Sequence, residues 1–313
     1  MEDKVTNQML ETDDPYPSRM FETPRILPRR EPVVHGPRGA GLLSAAEIAF
    51  FEANGYLVFE EMFERDEVAR YVDELRALSR RPDVREARET VLEPDSHEVR
   101  SIFNIHRTNP VFRTLAHDPR LVRRIVEFLG GPIYLHQSRI NYKPGFRGKG
   151  FDWHSDFETW HVEDGMPGMR AISCSIALTE NTPYNGPLML IPGSHLSFVA
   201  CIGATPADHY KQSLRKQEYG VPDDDSVCHL VDKGGIVAPT GPPGSVTLFD
   251  CNVMHGSNSN ITPWPRSNVF FVYNSVDNAL GDPRGGIPPR PDFIASRDFT
   301  PVPFECADGP QPR

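Results

Sequence analysis

Two potential metal ligands lie two residues apart in the aromatic segment Phe151–Pro167. In an extended strand, residues i and i+2 point to the same face, so the side chains of His154 and Asp156 would be directed at one point. His255 is the strongest candidate for a third ligand, because it ends the apolar run that begins at Ser245 and would arrive on a separate strand. Two histidines and one carboxylate on one face of a metal suit non-haem Fe(II) oxygenases. The same residues can also bind Zn(II) or Ni(II), so the residues alone leave the metal open.

The other histidines are weaker candidates for the metal site. His161 lies seven residues from His154, which places it on the opposite face of the predicted strand, and His195 follows a Pro-Gly-Ser turn. We expect both to have structural roles. Six more histidines have no spacing that singles them out: His97, His106, His117, His136, His209 and His229.

A polar strand is predicted just before this motif. Polar residues alternate with less polar ones, so their side chains share one face of the strand. The polar residues are Gln137, Arg139, Asn141 and Lys143. A polar stripe facing solvent would explain the segment taken alone. Its position directly before His154 favours a ligand-binding wall inside a barrel.

An arginine follows His255 in a segment with hairpin character, from Gly256 to Phe271. Arg266, Asn268 and Phe270 would share one face of the second strand of this hairpin. A guanidinium group can bind a carboxylate through two parallel hydrogen bonds, so Arg266 could hold an acidic cosubstrate beside a metal. This assignment depends on the metal site, since a lone arginine at a strand start is usually a surface residue.

Helix signals are concentrated in the first 130 residues. Ser44 begins a capping box, and Gly55 is placed to end that helix in the left-handed conformation. A second helix is predicted from about Asp66 to Arg80, where apolar residues form a stripe. A third should begin at Pro119 and stop at Gly130.

From Pro132 onward, short β-rich runs replace the helical pattern. They are Ile133–Lys143, Trp153–His161, Ala171–Leu178, Pro187–Ile191, Ser245–Phe249 and Asn268–Val272. Helices followed by many short strands indicate a mainly β fold, a jelly-roll or cupin-like barrel with buttressing α-helices.

The bulk composition excludes several classes of protein. A formal charge of -10 argues against a general nucleic-acid binder, and no apolar run is long enough to suggest a signal peptide or a membrane span. We therefore expect a cytoplasmic protein. The five cysteines, Cys174, Cys201, Cys228, Cys251 and Cys306, include no CxxC pair, which predicts neither a disulfide framework nor a thiolate zinc site.

The chain contains 31 prolines, and two Pro-rich ends bracket the core. We expect a Pro-rich N-terminal arm over residues 1–40 and a single domain over 41–313, with a Pro-rich tail from about 281. Each end could be a flexible tail or an arm that wraps the core or a partner subunit. Residues 196–243 could be a lid or a solvated insertion.

Several motifs together resemble a known family. Trp153-His-Ser-Asp156, the segment Asn185–His195, and His255 followed eleven residues later by Arg266 resemble the phytanoyl-CoA hydroxylase-like group of Fe(II)/2-oxoglutarate dioxygenases. The longer string Phe151–Pro167 is similar to the signature of the ectoine-hydroxylating members of that group, and the resemblance extends from about Tyr16 to near the C terminus.

This resemblance implies a double-stranded β-helix and the oxidation of ectoine to 5-hydroxyectoine, with 2-oxoglutarate converted to succinate and CO2. It implies Fe(II) as cofactor, 2-oxoglutarate and O2 as cosubstrates, a homodimer and a role in osmotic stress protection. It makes His154, Asp156 and His255 the iron ligands. The implied 2-oxoglutarate residues are Lys143, Asn141, Ser257 and Arg266. Those implied around ectoine are Gln137, Trp160, Ser173, Phe249, Asn268, Phe270 and Phe103.

Two other functions stay open at this point. One is a dioxygenase of the same fold that hydroxylates another small or lipid-linked substrate. The other is a non-catalytic metal-binding cupin, against which the anchors Arg266 and Lys143 argue. Ectoine carries a carboxylate and a delocalised ring cation, which aromatic rings and amide groups would suit.

Overall fold

The computed structural model describes residues 13–38, 41–93, 96–206, 209–210 and 219–303. Its α-helices are α1 Ala45–Asn54, α2 Arg65–Arg80, α3 Pro82–Arg85, α4 Ile105–Thr108, α5 Pro110–Ala116, α6 Pro119–Leu129, α7 Asp156–Thr159 and α8 Asp224–Gly234. Its strands are β1 Arg25–Pro28, β2 Tyr56–Phe59, β3 Thr90–Leu92, β4 Val99–Phe103, β5 Ile133–Lys143, β6 Phe151–His154, β7 Ala171–Ala177, β8 Leu188–Leu190, β9 Ser197–Ala200, β10 Val246–Asp250, β11 His255–Ser257 and β12 Arg266–Ser275.

The described strands form a large and a small antiparallel sheet, together with a separate pair of β1 and β9. The large sheet has the order β2-β10-β7-β12-β5-β4-β3, and the small one has the order β6-β11-β8. Leu188 and Leu190 of the small sheet pack with Phe249 and Phe270 of the large one, so the two sheets face each other. The prediction of a mainly β, cupin-like fold with helical buttresses is confirmed.

Alternation along the large sheet separates its two faces. Cys174, Leu248 and Phe271 belong to a core cluster shared with α1, α2, α5 and α6. Their strand neighbours, such as Ser173 and Asn268, are buried on the face that looks toward the small sheet. Because successive side chains point to opposite faces, one face of the sheet is apolar and packs against the helices, while the other forms a polar wall of a cavity.

A β-bulge sets this alternation along β5. Val272 of β12 is opposite Gln137, whereas the next residue, Tyr273, is opposite Leu135, so His136 is the extra residue of the bulge. Leu135 therefore faces the helical core, while Gln137 faces the cavity.

Two details of the predicted strands are wrong. The strand predicted over Trp153–His161 ends at His154, and Asp156 begins the helix α7, which continues as a π-helical turn over Trp160–Asp164. The predicted hairpin after His255 does not form either. Strand β11 pairs with β6 and β8, whereas β12 pairs with β5 and β7, so the chain crosses from one sheet to the other.

The described parts of both Pro-rich ends lie against the core. Tyr16 is fully buried, and β1 pairs with β9. Near the C terminus, Ile294 and Val302 are buried, and Val302 donates its amide hydrogen to the Ile133 carbonyl. Between residues 196 and 243, β9 and α8 are regular, while residues 207–208 and 211–218 lie outside the described residues, as does Cys306. Among the described helices, none has both the length and the apolar character that crossing a membrane requires.

The start and end of α1 match the prediction. Ser44 accepts a hydrogen bond from the Glu47 amide in a capping box, and Gly55 ends the helix at φ 79°. A Cβ atom at Gly55 would lie 2.5 Å from Nδ1 of His195. Gly55→Ala is therefore expected to lose about 1–2 kcal/mol of unfolding free energy from the left-handed backbone, and more from this clash. Urea unfolding measures the loss.

Gly193→Ala is the matched control for this substitution. Gly193 has nearly the same backbone angles, φ 77° and ψ -11°, but its nearest neighbour would be the Ala53 carbonyl oxygen at an ordinary 3.6 Å. It should show the backbone cost alone. Equal losses in the two variants would show that contact with His195 does not contribute.

Candidate metal centre and active-site cavity

Three predicted ligands meet between the two sheets. His154 and His255 are directly opposite each other on β6 and β11, and their ring centroids are 4.2 Å apart. Asp156 lies beside both rings at the start of α7, with Oδ1 3.9 Å from Nε2 of His154 and Oδ2 3.8 Å from Nε2 of His255. Among the described residues, this is the group of side chains whose donor atoms lie close enough together to hold a metal ion.

Backbone carbonyls fix which ring nitrogens are free for a metal. Nδ1 of His154 lies 2.8 Å from the Asp152 carbonyl oxygen, and Nδ1 of His255 lies 3.0 Å from that of Val253. Each Nδ1–H donates to the carbonyl two residues earlier, so each Nε2 presents its lone pair toward Asp156. A ring held in this way is the usual form of a metal-binding histidine.

The protonation states also suit a metal. Burial, together with the nearby His154, lowers the pKa of His255 to about 4, so its imidazole is neutral at neutral pH. Burial alone would raise the pKa of Asp156, but His255, His154 and Arg139 outweigh burial and lower it. Asp156 is therefore an ionised carboxylate. The neutral imidazole of His255, the ionised Asp156 and the adjacent imidazole of His154 form a donor set that fits Fe(II).

The cavity beside the triad runs along the polar face of β5. Gln137, Arg139 and Asn141 all line it, which confirms the predicted alternation of this strand. Across the sheet, Asn141 is paired with Asn268, and Lys143 with Arg266. We call this the Arg266 end of the cavity, and the opposite one the Gln137 end. The two lie about 20 Å apart along the strand.

The Arg266 end holds buried basic side chains: Glu93 pairs with Arg100 at 3.5 Å, whereas Arg266 has no ion-pair partner among the described residues. Arg266 is buried, and its Nε and Nη1 atoms have no hydrogen-bond partner among the described residues. Burial lowers the pKa of Arg266 to about 10, so it stays charged at neutral pH. Ser257 lines the cavity beside it. A buried guanidinium with free donors is a site for an anion, for which a carboxylate has the matching geometry.

The Lys143 ammonium group is also buried at this end. Its Nζ donates to Ser257 Oγ at 2.8 Å and to the Asn258 carbonyl at 2.5 Å. Burial and the neighbouring cations Arg266 and Arg100 lower the pKa of Lys143 to about 6. An anion bound nearby would favour the charged form and raise this pKa again.

The Gln137 end is aromatic. Phe103, Trp160 and Phe270 line the cavity there, and the Arg139 guanidinium lies 5.1 Å from the centroid of the Phe270 ring. Gln137 is held by the tail, because its Nε2 donates to the Ile294 carbonyl at 2.7 Å. Aromatic faces together with an amide and a guanidinium suit a small ligand that carries both charges.

Among the described residues, four of the predicted site residues do not line the cavity: Lys143, Ser173, Phe249 and Asn268. Three of them, Lys143, Ser173 and Phe249, contact residues that do. Ser173 Oγ donates to Asp156 Oδ2 at 3.2 Å, and the Phe249 ring centroid lies 5.2 Å from that of His255. Asn268 is buried and donates to Ser175 Oγ at 2.9 Å.

Several cavity residues were missing from the predicted set. They are Arg100, Thr159, Glu163, Tyr219 and Arg290, among others. Arg139 was predicted as part of the polar wall of β5, but neither the cosubstrate nor the substrate was assigned to it. Arg290 could not be predicted, because nothing local in a Pro-rich tail indicates that it reaches a cavity.

The two histidines judged structural lie outside the metal centre. Nδ1 of His161 is 2.7 Å from the Met166 carbonyl oxygen, and its Nε2 is 2.8 Å from Asp14. Nε2 of His195 is 3.1 Å from the Glu52 carbonyl oxygen. The prediction of structural roles is supported for both, although the strand-parity argument for His161 was wrong, because His161 lies in the helical segment.

This fold and this site agree with a family assignment. A model of the phytanoyl-CoA dioxygenase (PhyH) family matches residues 51–268. The chain belongs to this family.

Individual members of the family are similar to this chain over nearly their whole length. The ectoine dioxygenase of Bordetella parapertussis is 54% identical over 285 residues, which cover 91% of this chain and 92% of that protein. A crystal structure of EctD from S. alaskensis with 2-oxoglutarate and 5-hydroxyectoine is 50% identical, with a TM-score of 0.82 over 90% of this chain and 94% of that one. EctD from S. alaskensis with bound Fe is 48% identical, with a TM-score of 0.84 over 93% and 98%.

Proposed function

We propose that this protein hydroxylates ectoine to 5-hydroxyectoine in a reaction that depends on Fe(II), 2-oxoglutarate and O2. The observation that carries the proposal is a His154–Asp156–His255 triad in the same cavity as the buried, unpaired Arg266. The ectoine dioxygenases and EctD structures that resemble it over nearly its whole length support the choice of substrate.

The triad would hold iron through Nε2 of both histidines and one Asp156 oxygen. Three protein ligands would leave positions on the iron open to the cosubstrates. Iron bound here would supply the oxidation of a C–H bond by O2, coupled to the conversion of 2-oxoglutarate to succinate and CO2. The chain itself has to hold both organic molecules in register with the metal and exclude water.

The Arg266 end would hold 2-oxoglutarate. Arg266 offers two free N–H groups to the carboxylate far from the metal, and Ser257 lies beside it. Lys143 would add positive charge behind Ser257 once the bound anion raises its pKa, while Ser101 fixes the amide of Asn141 by donating to its Oδ1 at 2.8 Å. This arrangement neutralises an otherwise uncompensated buried cation.

The Gln137 end would hold ectoine. Trp160, Phe270 and Phe103 offer aromatic faces to the delocalised ring cation, and Gln137 and Arg139 offer N–H donors to the carboxylate. The Gln137 amide is oriented by the Ile294 carbonyl. Ser173 and Phe249 would act through Asp156 and His255, which they contact, and Asn268 would support the wall between the two ends.

The cellular setting belongs to the same proposal. We place the enzyme in the cytoplasm and in osmotic stress protection, with residues 41–313 as one domain, an N-terminal arm over 1–40 and a tail from about 281. The described cysteines are free thiols, which suits a reducing compartment. Loss of hydroxyectoine from a salt-stressed strain that lacks the gene would support this setting.

We also propose a homodimer. Phe146, Ile261 and Trp264 are 65%, 79% and 60% exposed on adjoining loops, which leaves an apolar surface for a second copy. Light scattering should give twice the mass of one chain. A single-chain mass would contradict the dimer.

Incubation with ectoine, Fe(II), 2-oxoglutarate and O2 tests the activity. Mass spectrometry should find ectoine with one added oxygen and one succinate for each product molecule. Omission of Fe(II) or 2-oxoglutarate should abolish both. Succinate release without an oxygenated product would direct the search to other small or lipid-linked substrates, and the absence of a charge-transfer band on anaerobic mixing of Fe(II) and 2-oxoglutarate would contradict any oxygenase.

A further inference from the structure

The segment that carries Asp156 and Trp160 is rich in buried acid. From Asp156 to Asp164 it forms α7 and the π-helical turn, and it places Trp160 in the cavity wall. Glu158, Glu163 and Asp164 of this segment are each at most 2% exposed. Buried carboxylates are unfavourable unless they are paired, so something must compensate them.

Arg19, from the N-terminal arm, compensates two of these carboxylates. Its Nε and Nη2 bind both oxygens of Glu158, at 3.0 and 2.7 Å, and its Nη1 lies 2.6 Å from Glu163 Oε1. Ser18 adds a hydrogen bond to Glu158 at 2.6 Å. Arg19 has φ 60°, a left-handed backbone that is unfavourable for an arginine and is kept only where the surroundings impose it.

Arg290, from the C-terminal tail, holds the end of the same segment. Its Nε and Nη2 bind both oxygens of Asp164, at 2.8 and 2.6 Å, and its Nε lies 3.7 Å from Glu163 Oε2. Arg290 lines the cavity, whereas Arg19 does not. The result is an alternating chain of charges that runs Glu158, Arg19, Glu163, Arg290, Asp164.

Arg19 also contacts the region between residues 196 and 243. Its Nη1 donates to Thr205 Oγ1, and its backbone amide donates to the Cys201 carbonyl at 2.8 Å. A Cβ atom at Gly220 would lie 2.4 Å from both Arg19 Nη2 and Glu158 Oε2, so the chain beside Tyr219 packs directly on this ion pair. Tyr219 itself lines the cavity.

We propose that Arg19 and Arg290 are positioning residues for substrate: from opposite ends of the chain they clamp the Asp156–Asp164 segment and so fix Trp160 against the bound ectoine. The proposal rests on the proposed function for the identity of that substrate. The clamp acts at the Gln137 end of the cavity and not at the Arg266 end, since none of its contacts involves Arg266, Lys143 or Ser257.

Arg19→Lys is the principal test, because Arg19 lies outside the cavity and can affect substrate only through what it supports, the segment and the chain beside Tyr219. Lysine keeps the charge but cannot bind both oxygens of Glu158 and also reach Glu163. The KM for ectoine should rise about tenfold or more, as is typical when residues that orient an active-site group are changed. The KM for 2-oxoglutarate should stay at its wild-type value, and more succinate should form per hydroxylated product. Arg290→Lys should have the same effects on the two KM values and on the amount of succinate per product.

Arg29→Lys is the matched control. Arg29 belongs to the same arm, its side chain is as buried as that of Arg19, and it pairs with Asp250 at 2.8 Å. In the part of the chain that the structure describes, it makes no hydrogen bond or ion pair with the segment. Its two KM values and its ratio of succinate to hydroxylated product should stay at the wild-type level. The proposal is overturned if Arg19→Lys is indistinguishable from Arg29→Lys, or if it raises both KM values equally. Should Arg19→Lys not fold, Glu158→Gln tests the same ion pair from the helix side.

Hydrogen–deuterium exchange tests the clamp independently of the proposed activity. Amides of residues 156–164 should exchange about tenfold faster in Arg19→Lys than in Arg29→Lys, with or without ectoine. If the wild-type protein does not hydroxylate ectoine, the function fails and exchange still tests the clamp. Unchanged exchange in an ectoine-hydroxylating protein overturns the clamp alone.

Discussion

Replacement of His255 with alanine is expected to abolish iron-dependent turnover. Loss of residues that merely orient metal ligands costs about 10–100-fold, so loss of one of three ligands should cost about 100-fold or more. The remaining pair, His154 and Asp156, would keep too few donors to retain iron at micromolar concentration. Succinate release and iron content after gel filtration measure the two effects, and both should fall together.

His195→Ala is the control for this experiment. His195 is as buried as His255 but bonds to the Glu52 carbonyl and packs on Gly55, away from the triad. It should lower the free energy of unfolding and leave iron content unchanged. If His195→Ala lost iron while His255→Ala retained full activity, the ligand set would be wrong.

The second large effect is expected at Arg266. Removal of one partner from a buried charge pair costs about 2–5 kcal/mol, so Arg266→Gln should raise the KM for 2-oxoglutarate by at least about 30-fold. Steady-state kinetics with each substrate varied in turn should show this increase for 2-oxoglutarate and little change for ectoine. For Arg19→Lys the opposite is expected: the KM for ectoine should rise and the KM for 2-oxoglutarate should stay unchanged.

Arg266→Lys and pH provide the checks on this result. Lysine keeps the charge but not the planar fork, so it should restore part of the affinity. Because the pKa of Arg266 is lowered to about 10, its charge and the affinity that depends on it persist below that pH and are lost above it. An Arg266→Gln variant with the wild-type KM for 2-oxoglutarate would place the cosubstrate elsewhere.

Much of this site could be predicted from the sequence, because its wall is encoded by local alternation. Strand β5 has the predicted limits Ile133–Lys143, and the polar face of that strand lines the cavity. The helix α1 has the predicted limits because Ser44 and Gly55 act within one turn of its ends. In such elements, the information lies within a few residues of the structure that it determines.

The errors occur where distant contacts decide the local structure. The strand predicted through Asp156 stops two residues earlier, and the Phe157 amide then donates to the Cys251 carbonyl at 2.8 Å. The three carboxylates that follow are buried only because Arg19 and Arg290 reach them from the two ends of the chain. No pattern within residues 151–167 indicates these partners, so the segment reads as a strand.

The extra residue at His136 determines which side chains of β5 face the cavity. Its backbone carbonyl accepts from the Ser296 amide, and its ring centroid lies 4.9 Å from that of Trp160. Insertion or deletion of one residue here would turn the cavity-facing side chains of the rest of the strand toward the helical core, and the core-facing ones toward the cavity. The number of residues in β5 is therefore constrained at this position, whereas a substitution at Gln137 or Arg139 would change the cavity wall and leave the two faces of the strand in place.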